Sequence, residues 1–256
     1  MPIALLTDFG TSDYFVAAVK GSILSINPDA VIIDITHEIA AHDIGAASFI
    51  LGACCEDFPP DTTFMAVVDP GVGSSRRAIA VQARGRKFVA PDNGLLSDVL
   101  RGVEYTAVEA TNKRYFGRRT STTFHGRDIF APVSAYLSLG VPLVELGPAA
   151  GSLVLFETEC PTRSDGTVHG EIIHIDRFGN LVTNLTPADV PDKFCLDVSG
   201  VTVRCVSSSY AEMPRGELFL IKGSAGRIEI SLREASAADL TGAAVGQKIV
   251  IHAEQI

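Results

Sequence analysis

The period of the apolar pattern changes near residue 160 of this 256-residue chain, and this change most limits what the chain can fold into. Before it, short continuous apolar runs alternate with segments whose apolar residues recur every three or four positions. Such runs are typical of strands covered on both faces, and the recurrence is typical of amphipathic helices. After residue 170, short runs alternate between apolar and polar residues and are separated by Gly, Asp and Pro, as in antiparallel sheets.

The first half therefore predicts an α/β sheet. Its strands are expected at residues 3–7, 31–35 and 63–68, followed by a hairpin formed by AIAVQA and KFVA. A helix follows each of the first two strands, the first capped by Ser12 or Asp13, and a last helix is expected over residues 128–139.

The second half predicts a smaller domain, an antiparallel β-barrel or sandwich. The polar stretch ETECPTRSDGT, which contains Pro and Gly, indicates the linker. We therefore expect an N-terminal α/β domain over residues 1–156, a linker over 157–167 and a C-terminal β-barrel domain over 168–256.

Composition excludes several classes of function. The net charge is −9 and no run of Lys or Arg occurs, which argues against nucleic-acid binding. No apolar run approaches the roughly 18 residues of a membrane helix, and the first apolar run meets Asp8 at once, as a first strand would and a signal peptide would not. Five cysteines, an odd number without CxxC spacing, indicate reduced core thiols in a cytoplasmic protein.

Polar residues follow three of the predicted strands. They are Asp8, the segment from Asp34 to His37, and Asp69. In open α/β sheets, ligands bind at the carboxyl ends of strands, so these residues are candidates for a site, although each alone also fits a turn or a helix cap. The segment after Asp8 lacks the Lys of a phosphate loop and the three glycines of a dinucleotide fingerprint, and a carboxylate there suits a ribose diol better than a phosphate.

Metal and nucleophile motifs are weak. The six histidines are scattered, with no HxH, HExxH or paired CxxC, so no metal and no cofactor is expected. No G-x-S-x-G elbow is present either.

Five segments carry a resemblance to a known family. They are LLTDFGTSDYFVAAVKG, VVDPGVGSSRR, APDNGLL, FHGRDIFAPVSA and IDRFGNLVTN. Together, in this order and over nearly the whole chain, they closely resemble the S-adenosylmethionine hydrolases, also called hydroxide adenosyltransferases, the relatives of fluorinating and chlorinating enzymes. The resemblance implies an α/β domain followed by a β-barrel. It also implies a homotrimer, with each site between one subunit's N-terminal domain and a neighbour's C-terminal domain.

The resemblance implies a catalytic trio, Asp69, Arg76 and His125, that handles an attacking water. The halogenating branch carries other residues at the Asp and His positions. The expected reaction is hydrolysis of S-adenosylmethionine to adenosine and methionine by attack of water at the ribose C5′. Whether Asp69 or His125 takes the proton is left open by the sequence.

Further substrate contacts are implied by position in the same motifs. Asp8 would bind the ribose hydroxyls, Phe124 would contact the substrate, and Asp176 would face the methionine side with Phe178 packed nearby. Asn180 would bond adenine, Tyr210 would stack on it, and Ser224, Glu229 and Arg233 would lie around it. Turn formation is the alternative for Asp176 and Asn180, and a solvated strand position is the alternative for Glu229.

Three positions depart from the family pattern. His42 replaces an aromatic residue, Arg227 a tyrosine and Glu234 an asparagine, which puts details of the adenine and methionine contacts in doubt. Two other functions compete with hydrolysis. One is a non-catalytic sensor of adenosine or S-adenosylmethionine, which would not need the trio, and the other is a halide-using relative, which the presence of Asp69 and His125 disfavours.

Overall fold

A computed structural model describes residues 1–157 and 160–254. Its contacts divide the chain into two compact units, Met1–Phe156 and Glu157–Ile256. The coarse prediction, a mixed α/β fold built on two separate sheets, is confirmed.

The first unit contains a six-stranded sheet in the order β2-β1-β3-β5-β4-β6. The strands are β1 (Ile3–Thr7), β2 (Ile32–Thr36), β3 (Thr63–Val67), β4 (Ala78–Ala83), β5 (Arg86–Pro91) and β6 (Tyr105–Glu109). Neighbours from β2 to β5 run parallel, whereas β4 is antiparallel to both β5 and β6. The predicted hairpin is therefore present and forms one side of the sheet.

Four helices cover the two faces of this sheet. They are α1 (Phe15–Leu24), α2 (Ile44–Cys54), α3 (Ser97–Leu100) and α4 (Ala131–Ser138). Residues of α1 and α4 share one apolar core with one face of the sheet, and residues of α2 and α3 share a second core with the other face. β1 and β3 are buried along their whole length, which explains why these two strands read as continuous apolar runs.

Of two local predictions in this unit, the caps of the first helix were wrong, and the helix at about 128–139 is confirmed with an earlier start. The first helix has Tyr14 as its N-cap, with no side-chain capping bond, so neither Ser12 nor Asp13 caps it. The predicted helix over 128–139 begins earlier, as a π-helical turn at Gly126–Phe130, and continues as α4. The wider π-turn carries the residues next to His125, and such turns are frequent at functional sites.

The order of the central strands places two of the candidate carboxylates. The chain passes from β1 to β2 on one side and then to β3 on the other side of β1. The carboxyl ends of β1 and β3 therefore lie side by side at a point where the strand order reverses, which is where α/β sheets bind ligands. Asp8 follows β1, and Asp69 follows β3 after one residue.

The second unit contains a nine-stranded sheet. Its strands are β7 (Thr162–Ser164), β8 (Thr167–Ile175), β9 (Leu181–Thr183), β10 (Phe194–Val198), β11 (Val201–Val203), β12 (Val206–Ser207), β13 (Leu218–Lys222), β14 (Ile228–Leu232) and β15 (Lys248–Ala253). A short helix, α5 (Ala237–Thr241), follows β14. The order is β11-β10-β15-β8-β9-β14-β13-β12, with β7 paired to β8.

The second sheet differs in part from the predicted antiparallel barrel. All of its pairs are antiparallel except β12 with β13, which run parallel. In the described residues, the ladder has β11 and β12 as its two ends and no pairing joins them. A closed barrel therefore stays a prediction. Alternating polarity indicates strands but does not reveal whether two edges meet, because both cases bury the same face.

The predicted linker is shorter in the structure than in the sequence reading. Residues 158 and 159 of this segment lie outside the described residues, but Thr162–Ser164 forms β7 and Thr167 begins β8. The Asp165-Gly166 pair, both with positive φ, is the tight turn that joins these strands. The Asp-Gly pair read as linker is therefore a hairpin signal.

The structure tests two predictions made from composition, the burial of the cysteines and the lack of a membrane helix. Cys55 is a buried free thiol as predicted, but Cys160 is exposed, so the description as core thiols is wrong for that residue. Within the described ranges, no helix has the length and apolar character needed to cross a membrane.

Candidate active site

The loop after β3 folds back so that its arginine meets its own aspartate. Gly73 has a φ of +80°, and a Cβ there would lie 2.4 Å from the carbonyl oxygen of Thr122. At Gly71, a Cβ would lie 3.3 Å from Arg76 Cγ. Glycine is therefore required at position 73, where this loop packs against the segment leading to His125, and a side chain at position 71 would crowd Arg76.

Arg76 joins the two other members of the predicted trio. Its Nε lies 3.0 Å from both carboxylate oxygens of Asp69, and its Nη2 donates to Asp69 Oδ2. The same Nη2 lies 2.8 Å from His125 Nδ1. The guanidinium also sits over the buried ring of Phe130, 5.1 Å from its centroid. The structure thus brings Asp69, Arg76 and His125 into one group, as the sequence predicted.

The contact with Arg76 fixes the protonation of His125. A guanidinium has only donors, so Nδ1 must be the acceptor and the ring proton resides on Nε2. Burial lowers the pKa of His125, and the positive charge of Arg76 lowers it further, against opposing effects of Asp69 and Asp128. The imidazole is therefore neutral at pH 7 and presents an N–H donor at Nε2.

A cavity of about 280 Å³ lies beside this group. Its lining includes Asp8, His42, Asp69, Phe124 and His125. Asp8 Oδ2 accepts a hydrogen bond from the backbone N–H of His42, 3.0 Å away, while Asp8 Oδ1 makes no hydrogen bond in the described part of the chain. The cavity therefore combines carboxylates and an imidazole with an aromatic wall.

The third polar strand end does not join the cavity. His37 is buried, and its Nδ1 lies 2.8 Å from the hydroxyl of Thr7. Its Nε2 lies 3.1 Å from Asp34, without the geometry of a hydrogen bond, and Asp34 pairs with Lys20. The expectation that all three ends form one site is therefore wrong for Asp34 and His37, because β2 lies on the far side of β1 from β3.

A larger cavity, of about 910 Å³, lies within the second unit. Its lining contains every substrate-contact residue predicted in that half of the chain: Asp176, Phe178, Asn180, Tyr210, Ser224, Glu229 and Arg233. These residues come from separate loops and strands, so the fold assembles the group that the motifs predicted.

Asp176 is also a turn-forming residue. Its Oδ1 accepts from the backbone N–H groups of Phe178 and Asn180, both at 2.9 Å, and its Oδ2 accepts from the Asn180 side chain at 2.8 Å. Gly179, with a φ of +82°, completes the turn, and a Cβ there would meet Ser236 Oγ at 2.1 Å. Asp176 and Asn180 therefore form a turn, as the alternative predicted, and both also line the cavity.

Glu229 faces the cavity from β14. Its side chain is buried, and Oε2 accepts from the hydroxyl of Tyr210 at 3.1 Å. A Cβ at Gly223 would lie 1.7 Å from Oε1, so the absence of a side chain at position 223 leaves the space that this carboxyl group occupies. Burial raises the pKa of Glu229, the Tyr210 hydrogen bond opposes the rise, and the charge of Asp176 adds to it. The reading of Glu229 as a solvated strand residue is therefore wrong.

The remaining residues of this cavity are less constrained. The Phe178 side chain is 78% exposed, so the described residues of this unit leave most of it uncovered. Arg233 donates to the backbone carbonyls of Ala211 and Met213, at 3.1 and 2.9 Å, and thereby holds the segment after Tyr210 in place. Of the two departures in this half, Glu234 lines the cavity, whereas Arg227 donates to the carbonyl of Asn184 and is absent from the lining.

Sequence reasoning missed several lining residues. In the first cavity they are Phe9, Phe15, Ala41, Val67, Val72, Thr123 and Gly126, and in the second Lys222 is the charged example. Phe9, Phe15 and Phe124 form an edge-to-face cluster with centroids 5.3–6.2 Å apart. Phe9 follows Asp8 in the segment LLTDFGTSDYFVAAVKG, and this position beside a predicted site residue could have indicated that it lines the cavity. An apolar residue otherwise reads as core.

Two family models match the chain. The model described as the SAM hydroxide adenosyltransferase N-terminal domain matches residues 3–147, and the model for the C-terminal domain matches residues 170–250. The chain therefore belongs to the SAM hydroxide adenosyltransferase family, as the resemblance predicted.

Relatives agree with this membership. A protein of Salinispora arenicola named (R)-S-adenosyl-L-methionine hydrolase is 37% identical, over 98% of this chain and 97% of its own length. A fluorinase of Actinoplanes sp. is 32% identical, over 73% of this chain and 72% of its own length. Among solved structures, an uncharacterized conserved protein from Thermotoga maritima has a TM-score of 0.91 at 37% identity, over 98% of this chain and 99% of that one.

Proposed function

We propose that this protein hydrolyses S-adenosylmethionine to adenosine and L-methionine, by in-line attack of water at the ribose C5′. The single observation that carries the proposal is the hydrogen-bonded group Asp69–Arg76–His125 beside a cavity that Asp8 also lines. A relative with 37% identity over nearly the full length is named as such a hydrolase, which supports the same reaction.

The difficult part of this reaction is the activation of the water nucleophile. The sulfonium is already a good leaving group, whereas free hydroxide from water, with a pKa of about 15.7, would cost roughly 12 kcal/mol at pH 7. A single general base contributes about 10²–10⁴-fold, or roughly 3–5 kcal/mol. The enzyme therefore aligns the water and removes its proton only in part before attack.

We propose that Asp69 is the proton acceptor of the trio. His125 cannot accept at Nδ1, since that atom accepts from Arg76, and its Nε2 carries the ring proton. Asp69 is a carboxylate whose orientation Arg76 fixes from one side. In this assignment, Nε2–H of His125 donates to the water oxygen and orients it, while Asp69 draws the proton away.

The substrate contacts follow the two cavities. Asp8 has a free oxygen that would accept from the ribose hydroxyls, with Phe124 alongside. Tyr210, Asn180, Ser224, Glu229 and Arg233 would surround adenine, and Asp176 with Phe178 would face the methionine side.

We further propose a cytoplasmic homotrimer whose domains are residues 1–156 and 168–256, with a closed barrel in the second. Each site would combine one subunit's N-terminal cavity with a neighbour's C-terminal cavity. At about 280 Å³, the N-terminal cavity is below the usual range of about 300–1,000 Å³ for ligand pockets, which supports a site completed by a second surface. The odd number of unpaired cysteines supports a reducing compartment.

The test is incubation of pure protein with S-adenosylmethionine of each sulfonium configuration, in ¹⁸O-labelled water. We expect adenosine and methionine as products, with the label in the adenosine 5′-oxygen. Chloride or fluoride in parallel samples separates the halogenating alternative, which would yield a halogenated nucleoside. Label absent from adenosine would overturn the displacement by water, and binding without turnover would favour the sensor.

Shared sites can be tested by mixing two inactive variants. Asp69→Asn and Asn180→Ala subunits, unfolded and reassembled together, should regain about a quarter of the wild-type rate if each site draws on two subunits. If the mixtures stay inactive, each site uses the two cavities of a single subunit, and the shared site is contradicted. Each variant reassembled alone is the control.

A further inference from the structure

A second cavity of the first unit, of about 640 Å³, shares no lining residue with the cavity beside Asp69. Its walls come from the helix α1 and the residues after it, the loop 116–119, the π-helical turn and α4. The lining consists of Ala18, Ser22, Ser25, Ile26, Phe116, Gly117, Arg118, Arg119, Arg127, Asp128 and Tyr136.

One arginine of this cavity is neutralised within the wall. Arg127 donates through Nε and Nη2 to the two oxygens of Asp128, at 2.6 and 3.0 Å, and Asp128 also accepts from the backbone of Ser121 at 2.8 Å. Burial would raise the pKa of Asp128, but these hydrogen bonds outweigh burial and lower it. The carboxylate is therefore ionised, saturated with donors and balanced by Arg127.

The other two arginines carry uncompensated charge. Arg118 and Arg119 are exposed and make no hydrogen bond or ion pair with any residue of 1–157 or 160–254. The cavity thus has two free guanidinium groups, although the chain as a whole has a net charge of −9. Adjacent like charges repel each other, and a dianion between them would remove that repulsion.

The remaining wall indicates the shape of the ligand. The hydroxyls of Ser22 and Ser25 already donate to the backbone carbonyls of Arg127 and Ser22, at 2.9 and 2.8 Å. The side-chain donors that remain for a ligand are the guanidinium groups and the hydroxyl of Tyr136. Ile26, Phe116 and Tyr136 add apolar and aromatic surface.

We propose that this cavity binds a small molecule bearing a phosphate group, gripped by Arg118 and Arg119, with its apolar part against Phe116 and Tyr136. Guanidinium groups match phosphate oxygens in paired hydrogen bonds, and a phosphate dianion matches the two free charges. This inference does not depend on the proposed hydrolase function.

The experiment is a calorimetric titration of the full chain with phenyl phosphate and, separately, with inorganic phosphate. The test variant combines Arg118→Ala with Arg119→Ala. The matched control combines Arg163→Ala with Arg204→Ala. Both are exposed arginines of the second unit, and their replacement removes the same charge. Thermal unfolding without phosphate verifies that both variants are folded.

We expect the control to bind phenyl phosphate within about twofold of wild type and the test variant at least about tenfold more weakly. Phenyl phosphate binding more tightly than inorganic phosphate would support the contact of an apolar group with Phe116 and Tyr136, and equal binding of the two probes would overturn that contact. Equal affinity of the test variant and the control, or no binding of either probe by wild type at about 10 mM, would overturn the proposal.

Discussion

Asp69 and Asp176 both follow strands, and both carboxylates are held by several hydrogen bonds, but their partners differ. Those of Asp69 come from one guanidinium seven residues away, which reaches on to His125, 49 residues further along the chain. Those of Asp176 come from its own turn, within four residues. A side-chain cation thus links a carboxylate to distant groups, whereas donors from within a single turn confine it to local structure.

Loss of Asp69 or His125 should reduce catalysis more than any other change to the two cavities. Asp69→Asn and His125→Ala should each lower single-turnover rates by about 10²-fold or more, because each removes one group that handles the water. Adenosine affinity, measured by calorimetry, should stay within a few-fold. Parallel loss of rate and affinity would make the Asp69 loop a binding loop only.

Replacement of the cation tests whether geometry or charge is required. Arg76→Lys keeps the charge but cannot contact Asp69 and His125 together through one planar group, so it should lose about 10–10²-fold in rate. Single-turnover kinetics measure this loss. Near-wild-type rates would mean that charge alone suffices.

Asp8 should affect binding more than chemistry. Asp8→Ala should weaken adenosine binding by about 10- to 150-fold, equivalent to about 1.5–3 kcal/mol, through lost hydrogen bonds to a charged acceptor. Calorimetry gives the affinity, and the rate of bound substrate is the accompanying control. An unchanged affinity would remove Asp8 from the ribose site.

The local character of Asp176 predicts a stability effect. Asp176→Ala removes three acceptor contacts and should lower the free energy of unfolding by about 1–3 kcal/mol in urea titrations. Phe178→Ala, in the same turn, is the matched control and should change stability little, since its ring is 78% exposed. Equal losses in the two variants would contradict the turn assignment.

Glu229 should cause a small dependence of stability on pH. The folded-state pKa of Glu229 is raised above 4.5, chiefly by burial, so its contribution to stability is fully present below about pH 4.5 and is lost as pH rises through the folded pKa. Wild type should therefore lose stability relative to Glu229→Gln as pH rises from 4 towards 8. Urea titrations across that range measure the difference. A difference independent of pH would mean that Glu229 titrates normally in the folded state.

Much of the fold could be predicted from the sequence because buried faces of strands and helices require apolar residues at regular intervals. Continuous apolar runs such as IALLT identified strands buried on both faces, and the change of period separated the two sheets. The linker was overextended because a polar Asp-Gly pair reads equally as linker or hairpin turn. The predicted caps of α1 were wrong because the helix begins after Tyr14, although Ser12 and Asp13 are residue types that favour the N-cap position.

The candidate site divides in the same way. Five long motifs in the sequence predicted the family, which is confirmed, and their resemblance to it implied the trio, whose members the structure brings together. Three features became visible only in the folded chain: His37 turns away from the site, Arg76 occupies Nδ1 of His125, and Glu229 is buried against Gly223. The physical reason is that strand order and side-chain contacts join residues far apart in sequence, and no local pattern records which of them meet.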